Sequence, residues 1–336
     1  MTKSARTSYL IMAVLLVLIG WLHLATLLLT ALFGSFALHL FSFGRSKILG
    51  VILYLIAVVA IGYGLFFFSS RAYKTLPKIA EETIPAVVNY AENQNIELPF
   101  TDYASFKTLA IKEVNESIAN VGRYAREATL QLAMLIIGLV VALSLFVNAK
   151  WEVEGEPGAV KDSLYSTVVR ELITRFGTFY ASFAKVIGAQ IIISLINTAL
   201  TAVFLMWNGF PYATVIIVLT FLCGLLPIIG NLMSNTLIIG VAFTMPNGPK
   251  MALFALIFLM MIHKLEYFLN SKIIGDRIRN PMWLTLIGLI LGEKLMGIPG
   301  MILAPVVLHY IKVEASRNKM TEARSETPVP HVAPDA

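Results

Sequence analysis

Charge is scarce in this sequence. Asp, Glu, Lys and Arg make up 14% of its 336 residues, hydrophobic residues make up 57%, and the mean hydropathy is +0.78. Soluble domains usually carry about 25% charged residues, so a soluble globular protein is excluded and a polytopic membrane protein is indicated. Cysteine is reduced to Cys223, which excludes an intrachain disulfide and a cysteine-rich metal site. Lying in an apolar run, Cys223 reads as a small packed hydrophobe. Enzyme motifs are also missing. There is no GxxxxGK[ST] loop for nucleotide phosphates, no GxSxG, and no HExxH, since His263 and Glu266 stand three apart. No enzymatic activity, cofactor or metal is expected. The formal charge of +6 gathers in loops and tails, where Lys and Arg mark topology, so no nucleic-acid partner is implied.

What is present is organised around Pro211–Met245, an apolar run of about 35 residues interrupted by Gly224, Pro227 and Gly230, where roughly 20 would span a bilayer. Proline removes a backbone donor and clashes with the preceding turn, so a helix should stop near Leu226. Each half is then roughly 15 residues, about 22 Å long, and short of the ~30 Å hydrocarbon core. Two such halves predict a re-entrant hairpin with Asn231, Ser234 and Asn235 beside its tip. Pro281 opens a second apolar stretch, broken at Gly297, Pro299 and Gly300. Broken helices at corresponding positions of two repeats point to a transporter binding site.

In chain order, Lys3 and Arg6 precede an apolar stretch from Tyr9 to Phe43. It continues too far for a cleaved signal peptide and suits two helices turning near Trp21–Thr26. His23 and His39 within it read as interfacial or packed residues. After Arg45 and Lys47 a third span covers about 48–68, followed by a polar region, 71–127, punctuated by Pro77, Pro85 and Pro99. Its second half starts at the N-cap pair Thr101-Asp102. Phe106, Leu109, Val114, Ile118, Val121 and Ala125 then recur at helical spacing, predicting an amphipathic helix that runs into a fourth span at 130–147. Its apolar stripe could meet neighbouring subunits, the membrane interface or the rest of the chain. A polar stretch, 150–185, precedes the fifth span at 186–206. There Gln190, Ser194, Asn197 and Thr201 share one face, which should meet protein or water instead of lipid. Interhelical hydrogen bonding and contact with solute both fit that stripe. The tail after Arg324 is rich in proline and small polar residues and reads as disordered.

The charged loops test the topology. If the N-terminus is cytoplasmic and Pro211–Met245 dips and returns, then Lys272, Arg277 and Arg279 stay cytoplasmic, as do Lys312, Arg317, Lys319 and Arg324. The expected fold is therefore an all-α polytopic membrane protein of about six full spans plus two re-entrant broken-helix hairpins. The two span-plus-hairpin units have opposite topology and form an inverted repeat, and an amphipathic helical insert precedes them. The expected regions are 1–70 (three membrane helices), 71–128 (the insert), 129–185 (fourth span and cytoplasmic loop), 186–312 (the inverted-repeat transport region) and 313–336 (the tail). Both termini are expected in the cytoplasm. The candidate substrate-binding residues are Gln190, Asn197, Pro227, Gly230, Asn231, Ser234, Asn235, Gly297, Pro299 and Gly300. Glu266 and Glu293 are candidate ion-coupling carboxylates, because charges inside a bilayer usually face a cavity or a partner. The alternative for each is a salt bridge with a nearby lysine.

LPIIGN at 226–231, LEYFLNSKIIGDRIRNP at 265–281 and LILGEKLMGIPGMILAPVVLHYIK at 289–312 resemble the autoinducer-2 exporter family of PerM-like permeases. GAQIIISLINTALT at 188–201 and the three-span start also fit, so the resemblance covers about 10–312. The family's Asn-Pro-Lys reads Asn270-Ser271-Lys272 here, and its Pro-Tyr-x-Gly reads Pro227-Ile228-Ile229-Gly230. The resemblance implies a permease of the bacterial inner membrane, with seven or eight hydrophobic segments and a homo-oligomeric assembly. It also implies export of a furanone-like signal or sodium/proton exchange. Three functions are thus in view. One is a secondary transporter exporting a small polar solute by alternating access at paired hairpin tips. The others are a cation/proton antiporter using Glu266 or Glu293, and a non-transporting membrane scaffold that docks a partner through the 71–128 insert.

Overall fold

The computed structural model describes residues 3–42, 46–96, 104–105, 121–148, 164–227, 229–274 and 281–326. Nine helices lie among them: α1 (Lys3–Trp21), α2 (Ala25–Ser42), α3 (Lys47–Asn93), α4 (Val121–Val147), α5 (Leu164–Trp207), α6 (Ala213–Gly224), α7 (Ile229–Ala242), α8 (Gly248–Ile274) and α9 (Met282–Glu326). The described residues form helices joined by turns and short connecting segments, with no strand among them. Seven of the helices are long and apolar enough to cross a membrane, whereas α6 and α7 are short apolar helices. This establishes a polytopic all-α protein. Six long spans were expected, and the seventh, within α9, covers the second predicted break. Its backbone leaves helical geometry at Gly297.

Two expectations about local structure are revised and a third is met. Pro77 and Pro85 do not end the third span, because α3 runs through both. Pro77 is exposed, so the helical hydrogen bond it forgoes lies on the open side. The buried face, Ala72, Ile79, Ile84, Val88 and Ala91, continues past both prolines at helical spacing. The stretch expected as a loop up to Lys185 is helical from Leu164 onward. Its apolar positions Phe179 and Phe183 are buried, and they sustain the helix across a charge-rich sequence. The turn expected near Trp21–Thr26 is found between α1 and α2, with His23 at φ 54°. The amphipathic stripe over 106–120, the basic loop at 275–280 and the tail from 327 lie outside the described residues.

The chain forms two compact units. One comprises Met1–Gly20, Glu154–Ile187 and Ile274–Ala336, and the other Trp21–Val153 and Gly188–Ile273. The expected transport region, 186–312, is therefore divided between them. In the larger unit α2 packs on α3 and α4 through small residues. A Cβ at Gly34 would strike Tyr54 and Ala142, and one at Gly138 would strike Thr30 and the Leu27 carbonyl. Small residues permit the close backbone approach on which helix association in lipid depends. A second core joins Ile79 of α3, Phe204 and Leu205 of α5, Ile216 of α6, Ile238 and Val241 of α7, and Ala255 and Leu259 of α8. It holds the two short helices among long ones. In the smaller unit the arms of α9 pack on each other through Leu289, Met301 and Ala304.

Candidate functional site

The site grows from the break that Pro227 imposes. The chain stops being helical at Gly224, and α7 starts again at Ile229, packed against α6. Gly230 makes that return possible, since a Cβ there would overlap the backbone carbonyl of Cys223. A helix end leaves its last carbonyls without intrahelical donors, and in an apolar setting an unpaired group costs several kcal/mol. Side chains of α5 supply the missing donors. Gln190 Nε2 donates to the Gly224 carbonyl at 2.6 Å, and Ser194 Oγ donates to the Phe221 carbonyl at 3.0 Å. Gly224 lacks a side chain where Ser194 arrives, and a Cβ there would overlap the hydroxyl.

One turn further along the α5 stripe, the chemistry changes. Asn197 is 8% exposed and interacts with the Glu266 carboxylate of α8, while among the described residues its Oδ1 lacks a hydrogen-bond partner. Asn231 of α7 donates Nδ2–H to Glu266 Oε2 at 2.6 Å. His263, one turn before Glu266 on α8, brings Nδ1 to 3.5 Å from the same oxygen. Ser234 is buried and donates to the Asn231 carbonyl at 3.2 Å, which steadies the residue that holds Glu266. Three helices thus converge on a carboxylate whose side chain is 13% exposed. Chemically, the arrangement provides one ionisable oxygen pair, two amides and an imidazole beside a break in the backbone. Such a group can take up a proton, a cation or a hydrogen-bonding solute.

Of the candidates in this unit, the structure brings Asn197, Asn231, Ser234 and Glu266 together. It places Gln190 on the carbonyl at the end of α6. Pro227 and Gly230 shape the turn. Asn235 is half-buried, and among the described residues its side chain makes no hydrogen bond.

A family model described as AI-2E family transporter matches residues 7–316. The chain belongs to the AI-2E transporter family. The resemblance read from the motifs at 188–201, 226–231, 265–281 and 289–312 therefore holds. The chain is also 32% identical over 164 residues to the Bacillus subtilis (strain 168) protein named "Putative transport protein YdbI"; the match covers 48% of this chain and 46% of that protein. It thus spans about half the length of that curated relative.

In this AI-2E family member the second break lies in the other unit. Gly297 adopts φ 64° and ψ −148°, backbone territory that side chains other than hydrogen avoid. Gly300 packs so closely on Gly292 that a Cβ on it would overlap the Gly292 carbonyl. Pro299 follows the break inside α9. Glu293 is half-exposed and pairs with its neighbour Lys294 at 3.4 Å, so it sits in a surface ion pair.

The sequence reading missed a buried charge network in the same unit. Arg175 of α5 is 5% exposed. It donates Nε–H to Ser8 Oγ at 2.8 Å, Nη2–H to Glu171 at 2.9 Å and Nη1–H to Glu314 at 3.4 Å. Its guanidinium carbon lies 3.6 Å from the centroid of the Tyr9 ring, and the Tyr9 hydroxyl donates to Glu314 Oε2 at 2.8 Å. The network joins α1, the first half of α5 and the second arm of α9. Arg175 lies in the polar stretch 150–185, and its partners Ser8 and Glu314 lie more than 130 residues away on either side. No local pattern could have shown it.

Proposed function

We propose that this AI-2E family member is a secondary transporter that moves a small polar solute of the autoinducer-2 kind by alternating access. The solute binds beside the break between α6 and α7, and Glu266 is the ion-coupling carboxylate. The observation that carries this reading is the hydrogen bond from Asn231 to Glu266. It puts an ionisable group of one helix in contact with the restart of a broken helix, at a part-buried position. An ionisable residue within a membrane span is by default a functional residue, with its partner named, and the partner here is the first residue of α7 to offer a side-chain amide. Neutral donors and acceptors from Asn197, Asn231 and Ser234 suit an uncharged solute better than a strong anion. Cation/proton antiport is the second reading, favoured by His263 and Glu266 standing one turn apart. Glu293, paired with Lys294, has less claim to coupling.

Flux into proteoliposomes of the full chain separates the readings, with a panel of small polyhydroxylated solutes and with or without a pH or sodium gradient. Solute flux that follows the gradient is expected for the wild type. Glu266→Gln, which keeps the size of the side chain, should lose the gradient dependence while remaining folded. Unchanged gradient-driven flux in a folded Glu266→Gln protein removes that residue from the mechanism. Proton movement coupled to sodium with no solute flux favours antiport.

The proposed topology has α6 and α7 entering and leaving on one side, both termini cytoplasmic, and two inversely oriented repeats in a homo-oligomer of the inner membrane. Single cysteines at Asn95 and Arg277, in a Cys223→Ala background, should react with an impermeant thiol reagent from opposite faces. Labelling from the same face contradicts the re-entrant arrangement.

A further inference from the structure

Away from the Glu266 cluster, α3 and α6 enclose an apolar groove of about 390 Å³, lined on one side by Ile61, Gly64, Leu65 and Phe68 and on the other by Val218 and Leu222. Arg71 lines its end. The residues contributed by α3 recur at helical spacing, so they form one continuous face running up to the arginine. Gly64 leaves the groove open, because a Cβ there would meet nothing within 4 Å. Arg71 is exposed and, among the described residues, makes no ion pair. Lys74 and Lys78 continue the same face, one and two turns beyond it, and both are exposed.

We propose that this groove binds an anionic phospholipid, with an acyl chain lying between α3 and α6 and the phosphate held by Arg71. Dimensions and charge together select that occupant. From Ile61 to Arg71 is ten residues, about 15 Å along the helix, and one leaflet of a ~30 Å hydrocarbon core has about the same depth. From Lys47 to Arg71 is about 36 Å, enough to cross that core, so Arg71 sits where headgroups lie. A guanidinium presents a planar fork of N–H donors that matches phosphate oxygens, and basic pockets between membrane helices are known recognition sites for anionic headgroups. A second copy of the chain would have to bring an acidic surface to Arg71, Lys74 and Lys78, whereas an anionic lipid supplies that charge itself. The site is independent of the transport reading, although a lipid in it would touch α6.

Native mass spectrometry of the full chain in mild detergent tests the proposal, with phosphatidylglycerol and phosphatidylcholine of identical chains added in parallel, and with glycerol 3-phosphate as the headgroup alone. Phosphatidylglycerol should be retained over phosphatidylcholine, and glycerol 3-phosphate should not be retained. Arg71→Gln should weaken phosphatidylglycerol retention about fivefold, the ratio that corresponds to about 1 kcal/mol per basic residue near an anionic surface. It should leave phosphatidylcholine unchanged. Gly64→Leu, filling the groove, should reduce both lipids. Arg71 is exposed and Gly64 has open space, so both variants should keep the wild-type helical circular dichroism. Phosphatidylglycerol retention unchanged in both variants overturns the proposal. So does equal retention of glycerol 3-phosphate. A change of subunit number in Gly64→Leu with lipid retention intact also overturns it, and assigns the groove to a second copy.

Discussion

The side-chain amide of Asn231 donates to the carboxylate of Glu266 at 2.6 Å, from the first turn of one helix to the last charged position of another span. The bond is part-buried and involves an ionisable acceptor, a class that contributes about 1.5–3 kcal/mol. Asn231→Leu should lower the unfolding free energy by roughly that amount and reduce flux. Asn235→Leu removes an amide that has no bond among the described residues, so its effect should stay within about 0.5 kcal/mol. Denaturant unfolding of both variants in detergent measures the difference. Equal destabilisation would show that the amide of Asn231 is not special.

The α5 stripe gives a second test. Gln190→Leu removes the donor to the Gly224 carbonyl and leaves a buried acceptor unpaired, at a cost of about 1–3 kcal/mol. Thr198→Val, one residue from Asn197, removes a buried hydroxyl that has no partner among the described residues. It should be neutral or slightly stabilising, because an unpaired buried polar group is itself a cost. Thermal unfolding of the two proteins should shift in opposite directions or not at all for Thr198→Val.

Gly297→Ala isolates backbone strain. A Cβ at Gly297 would meet nothing within 4 Å, so any loss comes from holding alanine at φ 64°, ψ −148°, a conformation that costs about 1–3 kcal/mol. Gly300→Ala should also destabilise, but through overlap with Gly292, so a larger substitution at Gly300 cannot report on solute binding alone. Gly297→Ala with wild-type stability would mean that the break straightens without cost.

Arg175→Met should destabilise by about 3–5 kcal/mol, the usual consequence of leaving a buried charge without its partner. The pair Arg175→Met with Glu314→Leu should recover most of that loss. Arg175→Lys should not recover it, because an ammonium lacks the planar fork that reaches Ser8, Glu171 and Glu314 together. A double-mutant cycle on unfolding free energy checks all three. Simple additivity would deny the coupling.

Outside the spans, the Tyr212 hydroxyl donates to Glu82 Oε1 at 2.6 Å. This hydrogen bond, with some burial and the Glu82 charge, holds the phenol above its ordinary value. The contribution of a raised group is fully present below its unfolded range, near 10 for a phenol, and is lost only as pH rises through the higher folded value. The stability difference between the wild type and Tyr212→Phe should therefore be constant from pH 6 to about 9 and should shrink only in stronger alkali. Unfolding midpoints across that series measure it, and a difference that fades near neutrality contradicts the assignment.

The break at Pro227 was legible because proline and glycine act through the backbone, whose rules do not depend on distant partners. The α5 stripe was legible as a face, but its division was not. Gln190 and Ser194 serve carbonyls at the end of α6, and Asn197 serves Glu266, an allocation set by how α5 crosses two other helices. The helix through Pro77 and Pro85 escaped notice because proline usually ends a helix, and local sequence gives no hint that the buried face continues past both residues. Helix 164–185 was hidden by its charges, one of which, Arg175, is buried on the same face as Phe179 and Phe183. Nothing near Arg175 announces residues 8 or 314.

The bond between Tyr9 and Glu314 also sets an order of assembly. Its two residues are separated by 305 positions, which a ribosome working at about 5–20 residues per second covers in about 15–60 s. Throughout that interval α1 has been synthesised but lacks the acid that its tyrosine will hold, and Arg175 arrives on α5 before Glu314 does. The first helix therefore waits on the second arm of α9, which carries Glu314. Premature termination before residue 314 would leave the arginine stranded in a half-built fold, a species that membrane quality control should recognise and degrade.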